Sequence, residues 1–228
     1  MKTYDLYVHT GPKRRKTYIH VPQLTGCIAQ GDTTDAAIEA APEAIRAFIG
    51  FIARYDEPCD PEEPFRTRIA EEDLSGGFLG TGFLPPDAKP LSMRDADALM
   101  QRLAHIHDAV RRLTDGLSAK QLDAAPAKGR PIRRILSHLC AEGGYLRGVT
   151  GASRIQREVD EGKRDPLEAL DALWELEVAR LASMPAEERG AIVQRGQSPW
   201  SVRASVRRML EHGWEHYSEI AERLGEPA

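Results

Sequence analysis

The chain predicts an α+β protein, a small β-β-α-β unit followed by an all-α four-helix bundle. Three observations carry that reading. Apolar and polar residues alternate over Lys2–His9, the period of a half-buried strand. Beyond residue 92 the apolar residues recur at spacings of four and three, the period of helices packed side by side. Between the two lies a stretch, 56–92, in which six prolines share the chain with Gly76, Gly77, Gly80 and Gly82. It reads as a linker, with the two units divided as 1–88 and 89–228.

At 228 residues, 41% hydrophobic and 29% charged, the chain can bury a real core, which excludes a disordered or fibrous protein. No apolar run approaches the ~18 residues of a membrane helix. The opening MKTYDLYVHT has no apolar core of a signal peptide. Cys27, Cys59 and Cys140 are too few and scattered for a disulfide framework, so a cytoplasmic location is expected. Net charge is −4, all of it in residues 1–92, while 93–228 balances. Neither half has the basic excess that non-specific nucleic-acid binding uses, and Lys13–Lys16, Arg133–Arg134 and Arg207–Arg208 read as solvated faces.

The elements follow in order. Lys2–His9 is the first strand, broken by Gly11-Pro12, and Thr17–Val21 is the second, with Cys27–Ala29 able to extend the pairing. Gln30–Thr34 reads as a polar turn that caps a helix running to about Tyr55, with Ala37, Ala41, Ile45, Phe48, Ile49 and Ile52 on one face. Pro42 falls inside it, as a kink or as the true helix start. Phe65–Ala70 is the last strand of the unit. In the second half, Leu99, Leu103, Ile106, Val110 and Leu113 form one helical stripe, stopped by Gly116. Pro131 opens a second helix with Ile132, Ile135, Leu139 and Leu146 inward. Pro166 opens a third, with Leu167, Leu170, Trp174, Val178 and Leu181, and Pro199 precedes the fourth, with Val202, Val206, Met209, Ile220 and Leu224.

The histidines carry the chemistry. His212 and His216, four apart on the fourth helix, lie about 40° apart around it and one turn along, so both rings can reach one ion. They interrupt an apolar stripe, as does His138, three after Ile135 on the second helix. Two histidines from one helix and one from a neighbour would hold a divalent metal from one side, with other positions left for water or substrate. His212-Gly-Trp-Glu-His216 also spells the H-x-x-E-H of inverted zinc peptidases, but Glu215 points about 100° from His216, away from that role. His105 and His107, about 200° apart, cannot share a site and read as surface residues. His9 and His20 sit on strands without a visible partner.

The segments Ile135–Glu142 with Tyr145-Leu146, and Arg207–Ile220, resemble the DinB-like superfamily of metal-binding four-helix bundles over about residues 93–225. The resemblance implies that His138, His212 and His216 bind a divalent metal, zinc or nickel. It also implies an enzyme that transfers a low-molecular-weight thiol or hydrolyses a small molecule. Tyr18–Thr33 and the alanine-rich Asp35–Ala44 resemble the HicB-like antitoxin domain. A bundle stands where such antitoxins carry a DNA-binding module, which implies an accessory or oligomerising module. The alternative is a non-catalytic or antitoxin-like protein that engages a protein partner. Exposed sheet edges could also pair two copies into a homodimer.

On this reading, Glu142 and Tyr145 lie one and two turns along the face from His138, placed to orient metal-bound water or substrate. Arg208, one turn before His212, could meet a substrate carboxylate, and Glu177 on the third helix could contact a metal-bound histidine.

Overall fold

The computed structural model describes residues 1–76, 82–127, 129–196 and 198–226. Gly77 and Gly80, read above as linker glycines, lie outside them. The chain is a mixed α+β protein, a four-stranded sheet with one helix and then helices to the C-terminus. No described helix is long and apolar enough to cross a membrane.

Strands β1 (Lys2–Thr10), β2 (Thr17–His20), β3 (Ile28–Gly31) and β4 (Phe65–Asp73) lie in the order β3-β2-β1-β4. β1–β2 and β2–β3 are antiparallel, and β4 runs parallel to β1. The unit is therefore β-β-β-α-β, one strand more than expected. Gln30 and Gly31 belong to β3, where they pair with Tyr18 and Thr17 instead of forming a turn. Only Ile28 and Ala29 of that strand are buried, so its sequence carries little alternation to read.

Helix α1 (Thr34–Ala53) is capped by Thr33, whose hydroxyl accepts from the Ala36 amide at 3.2 Å. It runs unbroken through Pro42, whose missing N–H leaves the Ile38 carbonyl without its helical donor. The tertiary burial of Ala41, Ile45, Phe48 and Ile52 outweighs that local cost.

The remaining helices are α2 (Met93–Thr114), α3 (Ala119–Leu122), α4 (Ile132–Leu139), α5 (Ala152–Asp160), α6 (Pro166–Ser183), α7 (Ala186–Gly190) and α8 (Val202–Leu224), with a small hairpin β5–β6 (Val193–Arg195, Ser198–Trp200) before α8. The four long apolar stripes fall on α2, α4, α6 and α8. Each of these packs on two of the others, α2 on α6 and α8, and α4 on α6 and α8. Ser92, Asp165 and Ser201 cap α2, α6 and α8 through their side chains. Gly225, in the left-handed region, ends α8.

The second bundle helix is shorter than its stripe suggested. It tightens after Leu139 into a 3-10 turn, Cys140–Gly144. At Gly143 a Cβ would stand 2.7 Å from Leu173 Cδ2 and 3.0 Å from Ala152 Cβ, so a larger residue in this turn would have to push the Leu173 side chain aside.

Sheet, α1 and bundle share one core. The rings of Phe48 and Phe51 on α1 each lie 5.0 Å from Trp214 on α8, and Phe51 lies 5.3 Å from Tyr217. Polar contacts join the same surfaces. Arg207 of α8 is 3% exposed, and its Nε and Nη2 donate to Asp87 at 2.9 and 2.8 Å. Nη2 also donates to the Gly82 carbonyl at 2.7 Å, and Nη1 to both oxygens of Glu211 at 2.8 and 2.9 Å. Glu211 Oε1 also lies 2.8 Å from His20 Nδ1 on β2. Asp87, from the stretch read as linker, is buried in a 3-10 turn (Pro85–Ala88).

Burial alone would raise the Glu211 carboxyl, but Arg207, then His20, hold it well below the ordinary carboxylate range. Replacing the arginine by an apolar side chain of similar length leaves two buried carboxylates without their cation. Arg207→Met should therefore cost about 3–5 kcal/mol in urea unfolding at pH 7. Its deficit should shrink as pH falls, because burial without Arg207 favours protonation of the Glu211 carboxyl in the folded state.

Candidate metal centre

α8 presents one face to the sheet through Arg207 and Glu211, and the next face round carries Arg208, His212, His216 and Glu219. The i, i+4 spacing brings the rings of His212 and His216 to 4.7 Å between centroids. His138, at the end of α4, stands 5.0 Å from each. One ring nitrogen from each of the three lies within 4.8 Å of the others, a group that could hold a metal ion. His212 and His216 are buried and His138 is exposed, so the cluster reaches the surface on the α4 side.

The chemistry of the donors fits a metal. Both ring nitrogens of His212 are buried and have no hydrogen-bond partner among the described residues. An imidazole shut away from water with neither nitrogen satisfied is costly unless something fills the gap. Burial, then His216, Arg208 and His138, push the His212 ring well below its ordinary value, and burial, Arg130 and His216 lower His138 in the same way. Both rings are thus neutral near pH 7, the form that offers a lone pair. His216 Nδ1 lies 2.9 Å from Glu219 Oε2, which fixes Nδ1 as the N–H and leaves Nε2 as the lone pair. Glu219 is itself held by Arg223 at 2.7 Å and Arg130 at 3.9 Å.

Glu219 was not picked out from sequence, although its signal is there, a carboxylate one turn beyond a ligand-type histidine. The other expected neighbours divide. Tyr145 stands by the cluster, its ring 5.5 Å from His212. Its carbonyl accepts from Ser205 of α8 at 2.8 Å, which ties the end of the 3-10 turn to the helix. Arg208 lies with its Cζ 5.6 Å from the Tyr145 ring. Glu142 departs from its expected place. Because the helix tightens at Cys140, Glu142 turns into the bundle core, fully buried, 2.9 Å from His107 Nε2. His107, read as a surface residue, is accordingly buried. Glu177 is likewise buried, next to Glu142, with neither carboxylate oxygen hydrogen-bonded among the described residues. His105 stacks on Tyr55 at 4.2 Å. Glu215 faces the sheet, accepting from Tyr18 at 2.7 Å and Lys16 at 3.2 Å.

No protein-family model, curated protein or solved structure matches the chain.

Two measurements test this arrangement. Glu219→Gln removes the carboxylate that orients His216 and should weaken zinc binding about 10–100-fold in a chelator competition. In the bundle core, burial and the neighbouring Glu142 raise the Glu177 carboxyl well above its ordinary value. The folded chain therefore keeps a proton there that the unfolded chain loses above about pH 4.3, so this group makes stability fall as pH rises. Glu177→Gln should match the parent near pH 4 and exceed it at pH 7, as read from urea midpoints across that range.

Proposed function

We propose that this chain is a metal-dependent enzyme of DinB-like type that acts on a small molecule at the site of His138, His212 and His216, with the HicB-like part as an accessory module. The observation that carries the reading is His212, buried with both ring nitrogens unpartnered and flanked by two further imidazoles within ligand reach. Three neutral nitrogen donors suit zinc or nickel. A divalent ion held there would supply Lewis acidity, lowering the pKa of water or of a thiol.

The chain's own residues shape what reaches that site. Exposed His138 leaves the cluster approachable from outside. Tyr145 and Arg208 line its flank, placed to touch and orient a substrate. Glu219 holds His216 in one tautomer. The accessory role of the first unit is supported by where its polar side chains go. Tyr18, Lys16 and His20 are all engaged with Glu215 and Glu211 of α8, so the unit braces the helix that carries two of the three histidines.

Metal analysis of the chain, purified without a metal-affinity tag, should find about one zinc or nickel per molecule, and none in a His212→Ala/His216→Ala variant. The loaded protein should then show turnover in a screen of thiol conjugations and small hydrolytic substrates that the variant lacks. No metal in either protein, even after zinc and nickel are supplied, would overturn the proposal.

A further inference from the structure

Arg208 carries a charge with unfilled hydrogen-bonding capacity. Its side chain is 11% exposed, and its Nε and Nη1 are buried without a hydrogen-bond partner among the described residues. Two carboxylates stand near it, at ion-pair but not hydrogen-bond distance. Glu211 Oε2 is 3.8 Å from Nη1, and Glu215 Oε2 is 3.7 Å from Nη2. Each of these is engaged elsewhere, Glu211 by Arg207 and His20, Glu215 by Tyr18 and Lys16. They therefore hold the guanidinium in place electrostatically while leaving Nε and Nη1 open. Its neighbour is the Tyr145 ring, which touches His212 in turn.

A guanidinium is a planar fork of donors matched to a carboxylate, and one shut away from water with donors empty is a poor structural element. It keeps its charge, because Tyr145, Glu211 and Glu215 together outweigh the effect of burial and raise its pKa. It stands one helical turn from His212, so an anion on it would lie beside whatever meets the histidines.

We infer that Arg208, with Tyr145 against it, is a carboxylate subsite, and that the substrate carries a carboxylate a few atoms from the group that meets the three histidines. This rests on the metal reading above.

The test is equilibrium binding, read without turnover. The protein is loaded with cobalt(II), and two thiols of equal length are titrated while the thiolate-to-cobalt absorption is followed. Mercaptoacetate carries the carboxylate, and 2-mercaptoethanol carries a hydroxyl in its place. Mercaptoacetate should bind about tenfold more tightly, the size of one charge-assisted contact. Arg208→Gln should remove that preference while leaving 2-mercaptoethanol binding as it was. Arg208→Lys, which keeps the charge but not the fork, should retain only part of it, and provides a second folded variant. Arg133→Gln, which removes a cation on the same helix as His138 that pairs with Asp123, should keep the preference.

Equal binding of the two thiols by the parent would overturn the subsite and leave the metal reading standing. So would a preference that survives Arg208→Gln, or one lost equally in Arg133→Gln. Failure of the parent to take up cobalt would overturn the metal reading itself, and the subsite with it.

Discussion

The rest of the structure depends on how Arg207 is bound. Its guanidinium has five N–H donors and makes five hydrogen bonds, to Asp87, to the Gly82 carbonyl and to both oxygens of Glu211. A rigid fork satisfied on every arm fixes direction as well as distance. It sets both the rotation of α8 about its axis and its position along the sheet. Since each residue turns the helix by 100°, a slip of one position would carry His212 and His216 off the face they share with His138. His20 strengthens the lock from the sheet side, by closing on Glu211 at 2.8 Å.

Such a lock is expensive to build, because every charge in it has left water. It holds because both carboxylates, Asp87 and Glu211, are hydrogen-bonded to the Arg207 guanidinium. The cost to Glu211 of burial is exceeded by the attraction of Arg207 and His20, so the carboxylate stays ionised in a site that would otherwise protonate it. The aromatic contacts of Phe48 and Phe51 with Trp214 and Tyr217 supply the water-free setting in which those attractions are strong. One face of α8 is thus closed by charge pairing, and the adjacent face is built in the opposite way, around the His212 ring, whose two nitrogens have no partner among the described residues.

Much of this was legible in the sequence, and the failures share a cause. The change of period from two to four-and-three separated the sheet from the helices, and the i, i+4 histidines with His138 marked the cluster, because these signals are local and repeat. The third strand was legible only as an extension of the pairing at Cys27–Ala29, with Gln30 and Gly31 read as turn, because half of β3 is polar and its pairing is decided by β2. Glu142 was placed on the wrong side because the stripe from Ile132 to Leu146 was taken as one α-helix. Gly143-Gly144 is the sign that it tightens, and only the proximity of Leu173 and Ala152 shows why. The pairs His107 with Glu142, and His20 with Glu211, join residues far apart in the chain. A sequence reveals that each side chain can ionise but not which partner folding will bring to it.

Arg207 and Arg208 make the last distinction sharpest, since they are neighbours with the same side chain and opposite circumstances. Facing the sheet, Arg207 meets carboxylates within hydrogen-bond reach and is used up holding the fold. One position on, 100° around the helix, Arg208 meets carboxylates that other residues have already engaged. Around the histidines, Glu219 is matched by Arg223 and by His216, and Glu215 by Lys16 and Tyr18. Among the described residues no carboxylate belongs to the donor set, so an ion held by three imidazoles would keep its full charge beside a guanidinium whose Nε and Nη1 are unpartnered. The two positive charges would repel, and what relieves that repulsion is an anion arriving from the side where His138 is exposed. The same helix face that would hold the metal thereby selects the charge of what approaches it.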